Sequence, residues 1–171
     1  MSDIISDIMM SETHYAPTQS LLKLAGRAEE GADLLTEAGL TTNETVLVYR
    51  GMSGVSFATA VGLALNARSA LPKDKQVGFA YSRKDNEESH GSEIEHLGQV
   101  GSWKNFVFID DFISSGRTFR ACRDKMIERF GQLKNVGEIG SWKSLTFRFG
   151  EAKLAELSDL EYTWDKPLSE V

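Results

Sequence analysis

What the chain has little of narrows it first. It holds one cysteine, Cys122, in 171 residues, so no intramolecular disulfide can form and no metal cluster of the cysteine type can be built. Within its helical pattern Cys122 reads as a small buried residue. No apolar run approaches the roughly 20 residues of a membrane span. The N-terminus, MSDIISDIMM, is acidic and short in apolar run, which is not the pattern of a secretory signal. Positive charge is in deficit: 19 Lys and Arg stand against 25 Asp and Glu, a formal net charge of -6. A broad basic face for DNA or RNA is therefore not expected. A local basic pocket for a small phosphorylated ligand stays compatible with an acidic whole. No internal repeat and no low-complexity tract is visible. The expectation by exclusion is a cytoplasmic protein without membrane or nucleic-acid partners. The hydrophobic fraction of 41% and charged fraction of 26% are those of an ordinary globular domain, taken as a single one over residues 1–171.

Periodicity then orders the chain. Ile4, Ile5, Ile8 and Met9 share one face of a short helix before Pro17. Residues 18–38 are helical in spacing, and Gly39 is placed as the C-cap. Residues 46–49 (VLVY) form a buried strand, the stretch Arg50-Gly51-Met52-Ser53-Gly54 a loop, and residues 55–66 a helix. Residues 77–81 give a second strand. Residues 83–101 are the most polar part and read as a long flexible loop with room for a short hairpin. A strand over 105–109, a helix over 117–130 capped by Gly131, strands over 136–139 and 144–149 and a short helix over 151–157 complete the order. The fold class expected is α/β, a mostly parallel twisted sheet flanked by helices, with ligands beyond the carboxyl ends of the strands. Residues 1–40 are assigned to a small hood or a dimer contact, and the tail to the hood as well.

Three stretches carry chemistry. The first is FVFIDDFISSGRTF, in which an apolar strand delivers Asp110 and Asp111 to the sheet edge and a small-residue turn leads into a helix. Two acceptor carboxylates suit a vicinal diol or a nearby Mg²⁺. Ser114, Ser115, Gly116 and Thr118 offer backbone N–H groups and hydroxyls that can wrap a phosphate monoester. The second is Arg50-Gly51 with its following residues, a strand-end turn able to take another anionic group, though without the Lys-Ser/Thr ending of a nucleoside-triphosphate loop. The third is the polar loop, which opens on Arg83-Lys84. His90, Glu95 and His96 within it have neither the spacing nor the ligand count of a metal site. Trp142 either stacks on a base or packs in the core, and Lys143 beside it reads as a surface lysine.

VFIDDFISSGRTF resembles the phosphoribosyl pyrophosphate (PRPP) motif of the type I phosphoribosyltransferases. The resemblance implies that Asp110 and Asp111 hold ribose hydroxyls and meet Mg²⁺ through the bound PRPP. It implies that residues 114–118 hold the 5′-phosphate. Arg117, at the motif's variable position, adds a charge there or faces solvent. Arg50 and Gly51 would contact pyrophosphate. The polar loop would be the family's catalytic loop, with Arg83 and Lys84 carried over, and its Arg-Lys and His-Gly are similar to the orotate branch. It departs from that branch at residues 85–89, which lack the loop lysine. Lys143 sits about where the 6-oxopurine branch has a base-reading lysine. The function implied is transfer of ribose 5-phosphate from PRPP to a nucleobase with release of pyrophosphate, with Mg²⁺ as cofactor and a homodimer as the assembly. The alternative is a non-catalytic PRPP-binding protein on the same fold.

Overall fold

Apolar runs rich in β-branched and aromatic residues make the central strands, and amphipathic or uncharged segments between them make the helices. The computed structural model describes residues 21–68, 72, 75–84, 93–133, 135–147 and 151–157. In chain order the elements are α1 (Leu21–Glu37), β1 (Thr45–Tyr49), α2 (Gly51–Arg68), β2 (Gly78–Ser82), β3 (Ile94–Leu97), β4 (Asn105–Asp110), α3 (Arg117–Phe130), β5 (Trp142–Thr146) and β6 (Lys153–Glu156). Short 3₁₀ turns cover Val100–Ser102 and Ile139–Ser141.

The six strands form one sheet in the order β3-β2-β1-β4-β5-β6. The inner four are parallel, and the edge strands β3 and β6 run antiparallel to β2 and β5. Side chains alternate across the sheet. Leu47, Val107, Ile109 and Leu145 meet Ala32, Leu35, Phe57, Val61 and Leu65 of α1 and α2 on one face. Val46, Val48, Phe106 and Phe108 meet Phe119, Cys122, Met126 and Phe130 of α3 on the other. The α/β class with a mostly parallel sheet is therefore the observed architecture. From β1 the chain crosses to β2 on one side, whereas β4 continues to β5 on the other. The reversal point of strand order lies between β1 and β4, and in such sheets ligands bind outside the carboxyl ends of the strands there.

Local signals explain the boundaries. Gly39 takes φ 70, Leu40 N–H donates to Leu35 O at 2.8 Å and Gly39 N–H to Thr36 O at 3.0 Å, the paired bonds of a Schellman ending. The helix over 117–130 is found at its expected bounds, with Gly116 at its N-cap and Gly131 at its C-cap.

Four expectations need correction. α2 begins at Gly51 rather than residue 55, so the supposed loop is the helix's first turn. The polar segment contains β3 and a 3₁₀ turn, with its central residues 85–92 outside the described residues. Residues 136–139 form no strand, because the chain turns under the Trp142 indole, whose N–H donates to Val136 O at 2.9 Å. Residues 151–157 form no helix, because pairing with β5 fixes Lys153–Glu156 as an edge strand. The apolar face at Ile4, Ile5, Ile8 and Met9 lies outside the described residues.

Candidate functional site

β1 and β4 are neighbours in register, with Tyr49 opposite Ile109, so the residues that follow them, Arg50 and Asp110, leave the sheet side by side. This is the crevice at the strand-order reversal. Two helices begin at it. Neither α2 nor α3 has an acidic residue in its first turn. The positive ends of two helix dipoles thus meet at this edge with no acid in either first turn, an arrangement that suits an anion.

Asp110 ends β4 and is 8% exposed. Its Oδ1 accepts hydrogen bonds from Ser53 Oγ at 3.0 Å and from Asp111 N–H at 2.9 Å. Burial, then a hydrogen bond to the Asp111 carboxyl and its charge, push Asp110 up to about 7; the Ser53 and backbone hydrogen bonds pull the other way. Near neutral pH Asp110 is therefore partly protonated, and a cation bound at the pair would displace that proton. Asp111 is half-buried, its Oδ1 accepts from Phe112 N–H at 3.1 Å, and its carbonyl accepts from Phe147 N–H at 3.1 Å. The pair thus stands on a turn tied down on both sides.

The small-residue turn follows at once. Gly116 is buried with φ 66, a left-handed conformation that a side chain would strain. Arg120 closes the turn from below: its N–H donates to Gly116 O at 2.9 Å and its guanidinium to Ser115 O at 3.1 Å. Ser114, Arg117 and Thr118 are exposed at the mouth.

On the β1 side Gly51 also takes a positive φ of 70. A Cβ there would lie 3.4 Å from Lys84 Cε and 3.6 Å from Lys84 Nζ, so the lysine stem passes directly over this glycine. Lys84 follows β2, and the sheet thereby brings the second and third sequence stretches together. Arg50 lies close enough to the Cys122 thiol for its charge to oppose the effect of burial. Burial nonetheless dominates and pushes Cys122 up to about 11.

Arg83 takes a different direction from its neighbour. Its guanidinium pairs with Glu95 of β3, its N–H donates to Glu93 O at 3.0 Å, and its carbonyl accepts from Lys125 Nζ at 3.0 Å. Lys125 Nζ is also 3.6 Å from Glu93 Oε2. The foot of the β2–β3 hairpin is thereby fastened to α3.

Trp142 and Lys143 are not brought to this edge. They start β5, opposite Phe106 and Val107, whereas the site lies at the other end, where Thr146 faces Asp110. Trp142 is fully buried and stacks on Phe106, with Phe119 edge-on. Lys143 pairs with Glu156 of β6. Both readings of a base contact are therefore replaced by a core and a surface role. Ser53 is the site residue that sequence reasoning passed over. Its only signal was its place three residues after Arg50, and its partner is 57 residues away.

Among the described residues no group of three or more His, Cys, Asp or Glu gathers as a metal site. A lone carboxylate pair with one oxygen of each acid already engaged fits a Mg²⁺ that arrives with a diphosphate and keeps water ligands, as Mg²⁺ tends to do.

Comparison with known proteins adds the following. A family model described as PRTase-CE matches residues 63–163, more than half of the chain, including the acid pair, the small-residue turn and Arg83-Lys84. Among solved structures, an orotate phosphoribosyltransferase from Francisella tularensis is similar at 19% identity, with a TM-score of 0.49 over 68% of this chain. That match spans half of the Francisella chain. No curated protein matches.

Proposed function

The chain belongs to the PRTase-CE family of phosphoribosyltransferases, and from that premise we propose that it binds PRPP at the carboxyl edge of β1 and β4 and transfers the phosphoribosyl group to a nucleobase. The observation that carries the reading is the meeting of a cationic glycine turn, Gly51 under Lys84, with the Asp110–Asp111 pair across two neighbouring strand ends. Such an arrangement suits a ligand with charge at both ends of a diol.

In this reading residues 114–118 take the 5′-phosphate with the start of α3. Asp110 and Asp111 accept from the ribose hydroxyls. Arg50, Gly51 and Lys84 take the pyrophosphate with the start of α2. Mg²⁺ arriving with PRPP would be held beside Asp110 and Asp111 and would supply charge neutralisation for the pyrophosphate. The bond from the anomeric carbon to the pyrophosphate oxygen breaks, that electron pair leaves with pyrophosphate, and a base nitrogen supplies the pair for the new bond. The residues position and stabilise charge; none needs to become covalently attached. The chain is read as working in the cytoplasm and as a homodimer, which sedimentation at micromolar protein would refute by giving monomer alone.

The test is pyrophosphate release from PRPP with Mg²⁺ and a panel of pyrimidine and purine bases. Release with one base supports the transferase reading. Tight PRPP binding with no release for any base would favour the non-catalytic alternative, for which the missing lysine at residues 85–89 speaks. Unchanged PRPP affinity in folded Asp110→Asn and Asp111→Asn would remove PRPP from the site altogether.

A further inference from the structure

The first turn of α2 comes closer to the ends of β1 and β4 than most side chains permit. A Cβ on Gly54 would lie 3.1 Å from Tyr49 Cβ and 3.2 Å from the Ile109 carbonyl oxygen, and neither neighbour is the free end of a flexible side chain. The glycine lets the helix start rest on the strand ends. Ser53 immediately before it then reaches Asp110, with Oγ 3.0 Å from Oδ1.

That hydroxyl has three uses open to it in principle. As a helix cap it would have to precede the helix, but α2 starts at Gly51 and Ser53 lies inside the first turn. As a direct anion ligand it would have to donate its proton to the anion. The proton is already given to Asp110, and the oxygen would face a phosphate with lone pairs. The remaining use is to hold Asp110. Together with the Asp111 N–H at 2.9 Å, the Ser53 hydroxyl fixes one carboxylate oxygen with two donors and so sets the plane of the carboxylate. In a residue only 8% exposed, water offers little substitute for a lost donor.

We infer that Ser53 is a positioning residue of this site: its hydroxyl, brought within reach by Gly54, holds Asp110 in the orientation that meets the hydroxyls of a ribose phosphate. The identity of the ligand rests on the PRPP reading; the contact itself does not.

The test compares wild type, Ser53→Ala, Ser53→Thr and Gly54→Ala by calorimetric titration with ribose 5-phosphate and, separately, with inorganic pyrophosphate, both with Mg²⁺. Ser53→Ala should weaken ribose 5-phosphate about tenfold, the scale of one charge-assisted hydrogen bond, and leave pyrophosphate within about twofold. Ser53→Thr restores the hydroxyl and should recover most of the loss. Gly54→Ala keeps the hydroxyl but lifts the helix from the strands, and should weaken ribose 5-phosphate at least as much as Ser53→Ala, with a loss of pyrophosphate as well because the start of α2 moves. Equal ribose 5-phosphate affinity in Ser53→Ala would overturn the inference. So would a loss on pyrophosphate larger than that on ribose 5-phosphate, since it would make Ser53 an anion ligand. A double-mutant cycle of Ser53→Ala with Asp110→Ala in urea unfolding reads the contact without any ligand, and strict additivity would refute it. Wild type that binds pyrophosphate but no ribose 5-phosphate would sink the PRPP reading, while a coupled cycle would still retain the brace between α2 and β4.

Discussion

Replacing Asp110 by asparagine should leave the free protein about as stable as wild type near pH 4 and make it more stable at pH 8. The native carboxyl is pushed up to about 7 from an ordinary value of 3.8, by burial first and by Asp111 second. Between those two pH values the folded chain keeps a proton that the unfolded chain has lost, so stability falls as pH rises. The favourable contribution of the protonated acid is fully present below about pH 4 and is lost by the time the pH has passed about 7. At about 1.4 kcal/mol for each tenfold change in proton affinity, the rise amounts to on the order of 4 kcal/mol, an upper figure because Asp110 is tightly coupled to its neighbour.

Asparagine resembles the protonated acid. Its Oδ1 still accepts from Ser53 and from the Asp111 N–H, and its amide can donate toward Asp111 as the acid proton does. It carries no charge to desolvate at high pH. The assay is urea unfolding of both proteins from pH 4 to 8 without Mg²⁺, followed by tryptophan fluorescence, to which the buried Trp103 and Trp142 contribute. The difference in midpoint should open progressively in favour of the variant as pH rises. A difference that stays constant over this range, or a variant less stable than wild type at pH 8, would refute the burial argument.

Other consequences are narrower. Gly62→Ala places a Cβ 2.3 Å from Phe79 Cζ, and the forced shift should cost about 1–3 kcal/mol, so a raised melting temperature would contradict the packing of α2 on β2. Lys143→Ala removes a partly exposed ion pair with Glu156 and should lower stability by no more than about 1 kcal/mol, with ribose 5-phosphate affinity unchanged; a large affinity loss would return Lys143 to the site. The Cys122 thiol, buried and pushed up to about 11, should resist iodoacetamide at pH 8 until urea unfolds the chain. Rapid alkylation of native protein would show that α3 opens readily above the sheet.

How much the sequence disclosed varies by element, for physical reasons. β1, β4 and α3 were legible because their cores are local patterns, an apolar run or a helical stripe between glycine caps. The start of α2 was hidden because Gly51 and Gly54 look like loop punctuation. One of them takes a positive φ where the helix begins, and the other admits the close approach to Ile109. Residues 151–157 are rich in good helix formers, yet hydrogen bonding to β5 outweighs a propensity worth only tenths of a kcal/mol per residue. Trp142 and Lys143 fell between the expected strands over 136–139 and 144–149, and only the register of β5 with Phe106 and Val107 shows that they sit at the far end of a strand from this site.

The acid motif was readable as a string, whereas the site as a whole depends on adjacency between β1 and β4. That adjacency also separates two neighbours that the sequence treats alike. Arg83 and Lys84 leave β2 together, but Arg83 is drawn to Glu95 on β3 while Lys84 lies over Gly51 at the turn. A diphosphate entering at the start of α2 would therefore meet Lys84 beside Gly51, whereas the Arg83 guanidinium lies on the hairpin against Glu95. Neither first turn, of α2 or of α3, carries an acid, and Glu93 and Glu95 pair with Lys125 and Arg83 on the hairpin. Anion binding at this edge should then respond more strongly to loss of Lys84 than to loss of Arg83, although the two are adjacent and both are cations.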